Sequence, residues 1–83
     1  MEGRIRDFEC GDNCYLTIID SRNKKHIGLC TAPECRPWNE EVSMPSRYRG
    51  KRVSVALGTG IQRDAEGTEM GRMTAFKKIR FLD

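Results

Sequence analysis

The chain has 83 residues, of which 37% are hydrophobic and 33% charged, with 15 Lys and Arg against 12 Asp and Glu for a formal net charge of +3. That length predicts one domain near the size at which a hydrophobic core alone is marginal, so a covalent or metal staple is expected. No run approaches the ~18 apolar residues of a membrane span, which predicts a soluble monomer with no membrane partner. The small positive excess permits a nucleic-acid partner without requiring one.

"MEGRIRDFEC" lacks the apolar core of a secretory signal, which makes a cytoplasmic home the default. A chain already relieved of its leader reads the same way, and in a periplasmic or secreted setting its thiols pair.

Glycine and proline divide the chain into short pieces, which favours strands. "RIRDFEC" (4–10) is a first strand with imperfect alternation, and "CYLTIID" (14–20) is a second, rich in β-branched and aromatic residues. "SRNKK" (21–25) is a polar turn centred near Arg22 and Asn23, and "HIGLCT" (26–31) returns as the other arm of a hairpin. Pro33 and Pro37 bracket Cys35 and exclude regular strand pairing there. "WNEEVS" suits a helical turn. In "MPSRYRG", Pro45 suits a first helical position and Gly50 the residue just past a short helix.

"KRVSVAL" (51–57) then alternates, with Val53, Val55 and Leu57 on one face and Arg52, Ser54 and Ala56 on the other. "GTGIQRDAEGTEMG" reads as a glycine-rich connection. "MTAFKKIRFL" ends in the alternating "KIRFL" of a closing strand.

Three strands, a partly helical connection and two further strands form the element order of an OB-fold, the five-stranded Greek-key barrel. With "YRGKRVSVALG" leading into strand four and "AFKKIRFL" closing the chain, the sequence resembles a compact bacterial OB-fold protein over nearly its whole length. The resemblance is architectural. It implies an all-β barrel with a short helical connection between strands three and four, and a binding face built on strands two and three. An SH3-like barrel, the nearest rival, has its helical turn before the last strand and fits the order less well.

The four cysteines follow the pattern C-x3-C, fifteen residues, C-x4-C. The hairpin turn brings Cys14 and Cys30 almost opposite each other, with Cys10 and Cys35 just outside, so all four collect at one end of the hairpin. One filling is a structural Zn²⁺ held by Cys10, Cys14, Cys30 and Cys35. The separation of the pairs matches a zinc ribbon, although both knuckles are wider than C-x2-C. The rival is two disulfides among the same four residues. Links across the hairpin, Cys14 to Cys30 and Cys10 to Cys35, close larger loops than the local pairs. A third reading makes them buried free thiols.

His26, the only histidine, reads as an exposed strand residue far from the cysteines. With no nucleophile motif beside it, the chain is expected not to be an enzyme. Asp7, Glu9 and Asp12 read as solvated carboxylates. The densest basic stretch is "SRYRGKR" (46–52), where Arg47, Arg49, Lys51 and Arg52 surround Tyr48. Cations for phosphates and an aromatic for stacking suit single-stranded nucleic acid. A barrel face would add Tyr15, Thr17, Lys24, Lys25 and Trp38, with Arg63 from the last loop. The bland reading of Trp38 is a cover for the core. Interspersed acids dilute any continuous basic groove. A small binding or structural module with a protein partner is therefore the leading expectation, and a single-stranded nucleic-acid-binding domain the alternative.

Overall fold

The structure, a computed structural model, describes residues 1–82. Its strands are β1 (Glu2–Cys10), β2 (Cys14–Asp20), β3 (Lys25–Cys30), β4 (Arg52–Arg63) and β5 (Glu69–Phe81), closed into a barrel in the spatial order β1-β2-β3-β5-β4. Neighbours are antiparallel except β3 and β5, which run parallel with Leu29 beside Ala75 and Cys30 beside Phe76. The expected all-β, OB-like barrel is the fold. A parallel pair needs a crossover rather than a hairpin, and the chain supplies it with the helical connection and β4.

That connection contains a 3₁₀ turn at Pro33–Cys35, the helix α1 (Arg36–Glu41) and a second 3₁₀ turn at Ser46–Tyr48. Pro45 precedes the second turn, and Gly50 follows it with φ of 85°. α1 starts two residues before the expected "WNEEVS" turn and buries Trp38. It ends at Val42, which takes a left-handed conformation at φ 49° while standing 65% exposed. Glycine is the residue that tolerates this position, so a β-branched side chain here is strained.

Alternation sorts the side chains as the strands require. Ile5, Leu16, Ile18, Val53 and Phe76 are fully buried, and no polar or charged residue is buried among the described residues. Two hairpin turns are built alike. Asp20 Oδ1 accepts from the backbone N–H groups of Arg22 and Lys24, and Asp64 Oδ1 accepts from those of Glu66 and Thr68. Each turn contains a positive φ three residues after its aspartate, at Asn23 and at Gly67. The shared carboxylate bonding satisfies amides that a tight turn leaves without partners.

The expected glycine-rich connection after Leu57 is instead strand. β4 and β5 continue as a two-stranded arm to a turn at residues 64–68. Glycine weakens the strand signal in a sequence, but here it serves close approach. A Cβ on Gly60 would stand 2.7 Å from Leu29 Cδ1 and 2.9 Å from Ala75 Cβ. Leu57 also departs from its expected place in the core. The β4–β5 register shifts between Ala56 and Leu57, and the side chain is 51% exposed. The shift skips Lys77 of β5, so the bulge lies on that strand, while β4 keeps its alternation and Leu57 stands opposite Phe76.

Candidate functional site

The cysteines are the first correction. Cys10 bonds to Cys14 and Cys30 to Cys35, so no cysteine is free to bind zinc, and the described residues contain no group of three or more His, Cys, Asp or Glu placed to hold a metal. Backbone register does bring the pairs near one end of the β2–β3 hairpin, because Cys14 and Cys30 lie one step beyond the paired Tyr15 and Leu29. Local geometry then decides the partners. Cys10 and Cys14 are cross-strand neighbours around a three-residue turn, with Cα atoms 4.1 Å apart. The 3₁₀ turn brings Cys35 to 5.7 Å from Cys30 by the same measure. The second distance lies in the usual span for a disulfide and the first falls just short of it. Cys30 and Cys35 are buried in the core, while Cys10 and Cys14 are half-buried against it.

The residues nominated for nucleic acid do not share one face. Lys24 and Lys25 stand exposed at the β2–β3 turn and the start of β3. Arg47 lies over the Tyr48 ring, its guanidinium carbon 4.9 Å from the centroid. Tyr48 is itself half-buried, 4.9 Å from the Trp38 ring centroid and 5.6 Å from that of Phe81. Arg49 donates to Asp7 Oδ1 at 3.0 Å, and this bond, with the Phe8 N–H second, pulls the Asp7 carboxyl below its usual range. Arg52 is on β4, directly across from Arg4 of β1. Trp38 needs correcting, since at 4% exposure it packs among Phe8, Tyr48 and Phe81 and offers no free ring face for stacking.

Tyr15 and the Arg63 backbone lie at the end where the β1–β2 turn meets the arm, while the Arg63 guanidinium donates to the Gly67 carbonyl. Gln62 Nε2 donates to the Tyr15 hydroxyl at 2.9 Å. Asn13 Nδ2 donates to the Arg63 carbonyl, and the Arg63 N–H donates back to Asn13 Oδ1. Leu29 lies over Ala75 and Gly60 on the same side. The arm therefore covers the outer surface of β2 and β3 beside Tyr15. Thr17 is half-buried on β2.

His26 is half-buried rather than simply exposed, with Nε2 2.8 Å from Asp20 Oδ2. The ionised carboxylate accepts this bond. Together with the turn amides, the bond to His26 being the largest contribution, it lowers the Asp20 pKa to about 2. The pair fastens the turn to β3.

Sequence reasoning missed the apolar surface of the arm. Leu57 and Ile61 of β4 and Met70 of β5 are 51%, 37% and 64% exposed. Leu57 and Ile61 alternate away from the glycine face that meets Leu29. Met70 has no partner of its own in the register, which passes from Gln62 and Gly71 to Arg63 and Glu69. The readable signal was the interleaving of Ile61 and Met70 with charged residues on both sides of an aspartate-led turn.

These features define a class of molecule, a disulfide-stapled, OB-like five-stranded barrel with an extended β4–β5 arm. No family model matches the chain, and neither a curated protein nor a solved structure is significantly similar to it.

Proposed function

We propose that this protein is a small, non-enzymatic binding module whose β4–β5 arm docks on a protein partner. The observation that carries the reading is the exposed apolar set Leu57, Ile61 and Met70 on one ribbon. Large side chains left in water on a ribbon are the kind of surface a partner covers. The arm also has strand edges to offer, since β5 pairs with β3 only at Ala75 and Phe76 and its stretch from Glu69 to Thr74 pairs with β4 alone. An open edge accepts an added strand, giving main-chain hydrogen bonds beside the apolar contacts.

Two disulfides are compatible with an oxidising compartment, so an extracytoplasmic setting replaces the cytoplasmic one in this reading. No helix among the described residues is long and apolar enough to cross a membrane. Single-stranded nucleic acid is the less favoured partner because Arg47, Arg49 and Trp38 are already engaged within the chain.

A photoreactive amino acid at Ile61, with the same group at Glu40 on α1 as a control, tests the reading in the cell that makes the protein. One discrete protein adduct from position 61 alone is expected. Adducts of equal pattern from both positions would count against the arm. Binding of an oligo-dT at low salt that shifts the amide signals of residues 47–52, and weakens steeply as salt rises, would put nucleic acid in its place.

A further inference from the structure

A different face of the barrel carries a second inference, independent of the arm. On the outside of the β5-β4-β1 sheet, Lys78 stands opposite Ala56, Arg80 opposite Ser54, and Ser54 in turn opposite Glu2. One row further on, Arg52 stands opposite Arg4. The two β4 positions nearest Lys78 and Arg80 are thus occupied by the small side chains Ala56 and Ser54, so the cations rim a depression rather than a ridge. Lys78 and Arg80 make no ion pair with any described residue.

Three connected hollows follow this face. One of about 250 Å³ lies among Ser54, Ala56, Lys78 and Arg80. A second, about 620 Å³, shares Ser54 with the first and adds Glu2, Asp20, Ser21 and Arg22. The third, about 450 Å³, shares Glu2, Asp20 and Ser21 with the second and reaches Arg4, Asn23 and Arg52. The shared residues make one track, long enough for several units of a chain-like ligand.

We propose that this track binds an acidic oligosaccharide, a glycan that carries both sulfate or carboxylate groups and free hydroxyls. Lys78 and Arg80 supply the main charge complementarity, with Arg4, whose Nη1 also donates to the Gly50 carbonyl, at the far end, and guanidinium groups match the planar or tetrahedral oxyanions of such sugars. Ser54, Ser21 and Asn23 offer short polar groups between the cations. Glu2 decides the class of ligand, since the second carboxylate on the track, Asp20, is taken up by the turn amides and His26. A carboxylate in the middle of the track repels a chain with a charge on every unit, but it accepts hydrogen bonds from sugar hydroxyls. None of the lining residues is aromatic, so the face has no platform for stacked bases, which single-stranded nucleic acid uses.

The test is titration of the whole chain with a hyaluronan hexasaccharide, which carries a carboxylate on alternate units only, at low ionic strength, followed by calorimetry and amide NMR shifts. Shifts are expected at Ser54, Ala56, Lys78, Arg80 and Arg4. Affinity should fall about tenfold or more in the double variant Lys78→Ala, Arg80→Ala and also fall in Glu2→Gln, while Lys24→Ala with Lys25→Ala leaves it unchanged.

Tighter binding by Glu2→Gln would overturn the hydroxyl-accepting role and with it the glycan. Equal binding of an oligo-dT or of poly-glutamate on this face would likewise overturn it, and absence of shifts at these residues would remove the site. Ile61→Asp on the arm is expected to leave the titration unchanged, so the failure of either proposal is visible without the other.

Discussion

Asn13 holds the backbone of Arg63, fifty positions away, from both sides: its Nδ2 donates to the carbonyl at 2.8 Å and its Oδ1 accepts the N–H at 3.1 Å. One amide side chain thus does what a neighbouring strand would do, and it ties the β1–β2 turn to the far part of the arm. The Cys10–Cys14 disulfide closes that same turn. The arm's position over Tyr15 rests on this clamp together with the Gln62 bond.

Asn13→Ala is expected to destabilise the protein by about 1 kcal/mol, since both bonds are exposed and each contributes modestly. Asn13→Asp keeps the acceptor but sets a carboxylate oxygen against the Arg63 carbonyl, so its cost should be at least as large. Hydrogen exchange provides the sharper reading. The Arg63 amide should exchange faster in Asn13→Ala while that of Ile79, deep in β5, keeps its protection. Equal acceleration at both would mean global unfolding and not a released arm.

The cysteine pairs should differ in access. Mild reduction followed by alkylation is expected to label Cys10 and Cys14 first, with Cys30 and Cys35 labelled only under denaturing conditions, because the second pair lies in the core. Each link closes a loop of similar size, so chain entropy assigns each about 2 kcal/mol. Replacing Cys30 and Cys35 by Ser should nonetheless cost more than replacing Cys10 and Cys14, since it buries two hydroxyls. The corresponding Ala pair at positions 30 and 35 should recover part of the loss. Intact mass spectrometry of the native chain checks the premise by a deficit of four hydrogens for the two disulfides. A chelator should leave the melting temperature unchanged.

Acid should loosen the β2–β3 turn in a defined window. The Asp20 carboxyl titrates at about 2 in the folded chain, against roughly 3.9 when unfolded. The folded state therefore binds fewer protons between these values. The stabilisation is complete above the unfolded value and is lost as pH falls through about 2. Urea midpoints measured from neutral pH down to strong acid should decline mainly below pH ~4. Asp20→Asn should start from a lower midpoint at neutral pH and decline less. Asp7, also lowered, contributes a separate part of the decline through Arg49. An unchanged slope in Asp20→Asn would mean that other carboxylates set the acid response.

Val42→Gly should stabilise the protein by about 0.5–1 kcal/mol even though it removes side-chain atoms, because glycine adopts the left-handed conformation at this helix end without strain. Val42 is largely exposed, so little packing is lost. Thermal unfolding of the two proteins decides it. A lower melting temperature in the glycine variant would show that the valine side chain makes a contribution larger than its strain.

The sequence by itself determined the barrel. Alternation in residues 14–20 and 52–56, the turn at Arg22–Asn23 and the prolines around Cys35 are local signals, and local signals are what strand periodicity and turn chemistry express. It also determined that four cysteines gather near one end of a hairpin, since register alone brings Cys14 toward Cys30.

What filled that cluster was decided by tertiary structure. A three-residue turn set Cys10 against Cys14, a 3₁₀ turn set Cys35 against Cys30, and no thiolate was left for zinc. Differences of one or two residues in a loop choose between these outcomes, and their energies are not written in spacing. Tertiary structure likewise placed Trp38 inside an aromatic cluster, paired Arg49 with Asp7, and left Leu57 exposed beside a bulge at Lys77 of β5. It extended β4 and β5 through Gly58 and Gly60, because in the folded chain Leu29 and Lys77 occupy the space that a side chain would need. Each of these depends on contacts between residues distant in sequence, and only the closed barrel brings them together.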